Sequence, residues 1–114
     1  MSESTIKQEF IAVYCTCPSE DVANKIASAL VEQRLAACVN ILPAVRSVYI
    51  WEGATQMDNE QLLMIKTCRD RYTAVEVTIC AQHPYELPEV IAVPLVGGSR
   101  GYLKWIHEMT RRSV

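Results

Sequence analysis

Two thiols one residue apart and a histidine between prolines are the side chains of this sequence best suited to chemistry. Cys15-Thr16-Cys17 lies in an apolar run, Glu-Phe-Ile-Ala-Val-Tyr-Cys-Thr-Cys, that reads as a strand. Alternation along a strand puts both sulfurs on one face, with backbones roughly 6–7 Å apart. Such a pair is a soft site for Cu(I), or for Cu(II) with His83 added. The competing reading is packing, because a free cysteine among apolar neighbours behaves as a small hydrophobe. The spacing is not the C-x₂₋₄-C of a zinc ribbon.

His83 opens His-Pro-Tyr-Glu-Leu-Pro-Glu, a loop pinned by Pro84 and Pro88 with Tyr85, Glu86 and Glu89 nearby. Its imidazole serves either as a ligand or as a brace that bonds neighbouring backbone. His107, on the last amphipathic stretch, reads as a packing or surface residue. Trp51, Lys66, Tyr85, Glu86, Tyr102 and Trp105 are candidates to line a cleft. Their ordinary alternative is an interface between chains, where aromatics are enriched and Lys66, Glu60 and Arg46 form ion pairs. No nucleophile–base arrangement or metal-hydrolase motif is present. Gly97-Gly98-Ser99 lacks the lysine and spacing of a P-loop, and Cys17-Pro18-Ser19-Glu20 offers no arginine for an acylphosphatase-type loop. The chain is therefore not expected to be an enzyme.

Composition narrows the setting. The 114 residues are half apolar and 21% charged, with 11 basic against 13 acidic side chains, and suit one globular domain. No basic stripe is available for nucleic acid, and no apolar run approaches the ~20 residues that cross a bilayer. Met1–Glu9 is polar and lacks a signal-peptide core, which leads us to expect a cytoplasmic protein. Five cysteines, an odd number placed inside apolar runs, fit reduced thiols better than a disulfide framework.

The elements that must position these residues follow from periodicity. Residues 1–8 are expected to form a flexible tail, and 9–114 a single domain. Glu9–Cys17 is apolar at both parities, so both faces of this strand should be covered, one by helices and one by a partner chain. Ser19 caps a helix in which Val22, Ala23, Ile26, Ala27, Leu30 and Val31 recur at helical spacing up to Arg34. Ala36–Trp51 follows, β-branched and aromatic, with a bend or bulge expected at Pro43 and a turn at Gly53. Ile41–Trp51 alone would reach roughly 36 Å as a strand, too long for a compact domain of radius of gyration near ~13 Å. This hairpin should overhang and carry Tyr49, Trp51 and Met57 into an oligomer. Gln56–Cys68 is its return strand. Asp70–Gln82 fits strand by propensity and helix by stripe; the need for a second crossover on the helical side selects helix. Val90–Val96 is a short strand, and Gly101–Arg112 a final helix. The order β-α-β-β-α-β plus a helix is an α+β, ferredoxin-like arrangement.

Several strings together resemble the CutA family of divalent-cation tolerance proteins. They are Cys15-Thr16 with Pro18, Leu35-Ala36-Ala37-Cys38-Val39-Asn40, Ser47-Val48-Tyr49 with Trp51, Lys66-Thr67, His83-Pro84-Tyr85-Glu86 with Pro88-Glu89, and Tyr102-Leu103 with Trp105. The resemblance implies a homotrimer joined through long hairpins, with a quaternary likeness to PII-type signalling proteins. It also implies tolerance to copper and other divalent metals, with no metal required for folding. Some members bind copper through a cysteine at the position of Cys15 and two histidines before the Pro-Tyr. Here those two positions are Gln82 and His83, so Gln82 counts only as a weak third ligand. The alternative is a PII-like regulatory trimer that takes a small ligand or a partner protein at inter-subunit clefts.

Overall fold

A computed structural model describes residues 9–111; the tail expected at 1–8 and the last three residues lie outside them. The elements are β1 (Phe10–Cys17), α1 (Glu20–Glu32), β2 (Cys38–Trp51), β3 (Ala54–Cys68), α2 (Tyr72–Gln82), β4 (Ile91–Pro94) and α3 (Arg100–Met109), with a 3₁₀ turn, Arg69–Arg71, before α2. The strands form one antiparallel sheet in the order β2-β3-β1-β4. This is the ferredoxin-like arrangement with an added terminal helix.

Helix ends follow local chemistry. Ser19 Oγ accepts the Val22 N–H, and Glu20 and Asp21 sit in the first turn of α1. At its C-terminus Arg34 turns left-handed at φ 62°. There the Leu35 N–H reaches Leu30 O and the Arg34 N–H reaches Val31 O, a Schellman closure in which arginine fills the glycine position. Ser99 caps α3 by accepting the Tyr102 N–H. Asp70, just before α2, pairs with Arg111 at 2.9 Å and ties the end of α3 to the start of α2.

The hairpin is as long as its sequence requires. β2 and β3 run 14 and 15 residues and pair to the tip, Trp51 opposite Ala54. Glu52 and Gly53 both have positive φ, as a two-residue I′-type corner needs. The register slips between Leu42 and Val45, where Ala44 takes φ 62° directly after Pro43. That is the expected bulge. The molecule measures 48 × 30 × 22 Å with a radius of gyration of 15.1 Å, above the ~13 Å of a compact chain of this size. Val48, Tyr49, Ile50, Trp51 and Met57 on the arm are all exposed.

The two sheet faces differ. Ile11, Val13, Cys15 and Cys17 pack with Leu63 and Ile65 under α1 and α2, against Ile26, Leu30, Val75 and Ile79. The other face was expected to need a partner chain throughout, and at one end it does not. There α3 returns across the sheet, and Ile106, Leu103 and Met109 pack with Phe10, Ala37 and Cys68. Its amphipathic stripe is long enough to reach back over the sheet edge. Elsewhere Tyr14, Leu62 and Met64 are half-buried and Leu42, Ile91 and Val93 exposed.

Candidate functional site

The pleat of β1 and the end of α2 converge on one point beneath the sheet. Cys15 and Cys17 project to the core face and are fully buried. α2 closes at His83, whose N–H still bonds Ile79 O while its backbone is already extended, as a residue before proline prefers. The imidazole is thereby swung under β1. Its Nε2 lies 2.8 Å from the Thr16 carbonyl, and the Tyr85 N–H donates to Nδ1 at 3.2 Å. Nδ1 therefore accepts, and Nε2 carries the proton that Thr16 O receives. The Tyr85 ring lies against the imidazole, with centroids 4.6 Å apart. The two Sγ atoms and a ring nitrogen of His83 all lie within 4.8 Å of one another.

The thiols are not equivalent. Hydrogen bonding to Cys17, reinforced by burial, pushes the Cys15 thiol far above its usual range, while the bond from Cys15 holds Cys17 down. Two sulfurs and one imidazole form a soft donor set suited to copper or zinc. Metal–sulfur and metal–nitrogen bonds of about 2.3 and 2.0 Å ask for donor separations near ~4 Å, so the residues fit such an ion with small shifts. A ring nitrogen must give up a hydrogen bond to take part. Among the described residues no further histidine, cysteine or carboxylate joins this group. The side-chain Oε1 of Gln82, the residue before His83, is buried without a hydrogen-bond partner.

On the opposite face a cavity of about 630 Å³ opens between the arm and the 84–89 loop. Thr16 forms part of its floor, with Tyr49, Trp51, Glu60, Tyr85, Glu86 and Glu89 among its walls. The Tyr85 hydroxyl donates to Glu60 at 2.7 Å, Thr16 Oγ1 donates to Glu89 at 3.3 Å, and the Tyr49 hydroxyl bonds Asp58. Burial, then the bond to Glu60, raises Tyr85 well above an ordinary phenol, so it stays a donor.

Of the six residues expected to line a cleft, Trp51, Tyr85 and Glu86 come together here. Lys66, Tyr102 and Trp105 do not. The Lys66 ammonium bonds the Asn40 side chain, and the Tyr102 and Trp105 rings face each other 5.4 Å apart on α3. Tyr102 and Trp105 lie on α3, which crosses the far end of the sheet, and Lys66 pairs with Cys38 at the end of the hairpin opposite Trp51. His107 is exposed on the same helix. The alternation of Cys17 with Cys15, visible in the sequence, is what sets both sulfurs beside His83. Sequence reasoning missed Thr16 and Glu89 as cleft residues, because the path of the 84–89 loop around the sheet end leaves no periodic signal.

Known proteins give this geometry a family. The model of the CutA1 divalent ion tolerance protein family matches residues 11–109. The divalent-cation tolerance protein CutA of Thermus thermophilus is 48% identical over 98 residues, 86% of this chain and 95% of that one. The chloroplastic CutA of Arabidopsis thaliana is 45% identical over 97% of this chain, which spans 61% of that longer relative. The crystal structure of CutA1 from Oryza sativa superposes with a TM-score of 0.89 at 43% identity, covering 94% of this chain and 98% of that one. The periplasmic divalent cation tolerance protein CutA of Archaeoglobus fulgidus gives 0.87 at 35%, covering 90% and 99%. The names of the Arabidopsis and Archaeoglobus proteins overturn the expectation of a cytoplasmic protein, since relatives with this fold are called chloroplastic and periplasmic. A polar first stretch was too little to fix a compartment. Among the described residues no helix is long and apolar enough to cross a membrane. With the family match running almost from end to end, the chain belongs to the CutA1 divalent ion tolerance family.

Proposed function

We propose that the chain contributes to divalent-cation tolerance as a homotrimer that holds a soft metal ion, copper foremost, at Cys15, Cys17 and His83. The observation that carries this reading is the buried group of two sulfurs and an imidazole within 4.8 Å. Gln82 is a weaker candidate, and His83 with Cys17 takes the place of a histidine pair. The metal is cargo and not a folding requirement, because the core around Cys15 is closed by apolar side chains from α1, α2 and β3. We read residues 9–114 as one folding unit that binds and does not catalyse.

The trimer is supported by the overhanging arm with its exposed Val48, Ile50, Trp51 and Met57, and by Ile91 and Val93 on edge strand β4. An uncovered apolar edge is the kind of surface that chains pair to hide. Sedimentation is expected to give the mass of three chains; a stable monomer contradicts it. For the metal, Cu(I) and Cu(II) are titrated into the reduced protein. One ion per chain is expected, with binding lost in His83→Ala and Cys17→Ala. Uptake no tighter than that of free amino acids, or indifferent to these changes, overturns the site.

The cavity beside Trp51 and Tyr85 favours a second reading, a PII-like regulatory trimer with a small ligand there. A metabolite screen by thermal shift tests it, because a ligand bound only to the native state raises the midpoint.

A further inference from the structure

The two thiols and His83 are closed off by their own chain. Cys15 and Cys17 expose no surface and His83 only 8%, so the group is covered before any partner subunit arrives. The buried cluster that holds the sulfurs is otherwise hydrocarbon, with Ala23, Ile26, Val75 and Ile79 among its members. Softness alone admits copper and zinc to such a place; the number of donors separates them. Among the described residues two sulfurs and one ring nitrogen make up the whole group. Cys80, the further thiol on α2, is exposed and outside it. The Thr16 carbonyl lies 2.8 Å from His83 Nε2, but zinc draws its ligands from cysteine, histidine and carboxylate side chains. A water as fourth ligand needs polar partners of its own, and a hydrocarbon wall supplies none.

We infer that the metal site proposed above takes a monovalent soft ion, Cu(I) or Ag(I), and rejects divalent ions; this rests on that reading and names its ion class. Zinc is almost always four-coordinate, with water filling a position the protein leaves open. Divalent copper prefers a tetragonal set of nitrogen and oxygen donors, whereas thiolates select Cu(I). Singly charged Cu(I) and Ag(I) are satisfied by two or three ligands, which is what the pleat of β1 and the end of α2 provide. Charge alone would favour a divalent ion on two thiolates. Coordination outweighs it, because a divalent ion held here forfeits its fourth bond and the surrounding side chains replace none of it. A member of a family named for divalent ions thereby holds copper in its monovalent form.

The test uses the full reduced chain without oxygen. Cu(I) is offered as its bathocuproine disulfonate complex and Zn(II) as its 4-(2-pyridylazo)resorcinol complex, and the loss of each colour is followed beside free cysteine. One Cu(I) per chain is expected, held more than about tenfold tighter than by free cysteine, with Zn(II) inside that tenfold margin. Cys38→Ala with Cys80→Ala, which removes the thiols outside the group that are not buried, should leave Cu(I) uptake unchanged. Both affinities are read on the unsubstituted chain, so they decide the matter even where a variant fails to fold. Zn(II) held beyond the tenfold margin overturns the selectivity and leaves the metal reading standing. Cu(I) held within that margin, or lost in the double variant while the variant stays folded, overturns both.

Discussion

The same strand and the same loop build two sites of opposite character. Cys15 and Cys17 look into the core, and Thr16 between them looks into the cleft. His83 belongs to the first region and Tyr85, two residues on, to the second. One side is dry and soft, with sulfur and imidazole inside an apolar cluster. The other is a larger space with carboxylates and ring faces. A period of two therefore assigns donor chemistry here. The face a residue takes decides whether it meets hydrocarbon or solvent, and so which ligands it can serve.

The joint between the two regions is His83, and breaking it should have the largest effect. His83→Ala leaves the Thr16 carbonyl and the Tyr85 N–H without partners and opens a cavity. A loss of about 2–4 kcal/mol is expected in chemical denaturation, with metal uptake abolished and the cleft loosened at Tyr85. A variant that loses metal but keeps full stability would show that the two regions are not coupled through this ring.

Tyr85→Phe separates them. It removes the donor to Glu60 and should cost about 1–2 kcal/mol, weaken cleft binding and leave copper uptake unchanged. Its pH dependence has a definite sign. The folded phenol titrates above the unfolded one, so its contribution is complete below the unfolded pKa and declines as pH rises towards the folded value. The variant should lack this alkaline loss of stability.

On the thiol side the sign concerns metal. The Cys15 proton is held tightly by Cys17 and by burial, so copper must displace it. Apparent affinity is expected to rise with pH between about 6 and 8, and more steeply in the wild type than in Cys15→Ala. A pH-independent affinity contradicts a thiolate site.

The smallest effect concerns the bulge that carries the arm past the cleft. Ala44 sits at φ 62°, and Ala44→Gly should relieve that strain for a gain of about 0.5–1 kcal/mol in thermal melting. A loss would mean that the Ala44 methyl packs in the assembly.

Much of this was legible in the sequence. Apolar periodicity marked α1 and α3, Pro43 and Gly53 marked bulge and turn, and Ser19 announced its cap. Elsewhere the relevant signal was not local. Whether α2 was helix or strand depended on the topology of the crossover, since Val75, Val77 and Ile79 suit both. β4 shrank to Ile91–Pro94, the residues in register with Ile11–Tyr14. Cys15 and His83 meet only once α2 ends at the right distance from β1. Lys66 and Trp51 look equally suited to a cleft until the register of β2 and β3 sets them at opposite ends of the hairpin.

Metal should go to the dry side of the molecule, and copper K-edge X-ray absorption on the reduced protein, loaded with one Cu(I) per chain, tests this directly. The expected shell is two sulfurs and one imidazole nitrogen, falling to one sulfur in Cys17→Ser. An oxygen shell indifferent to Cys17→Ser and altered by Glu60→Gln would place the ion in the cleft and contradict it.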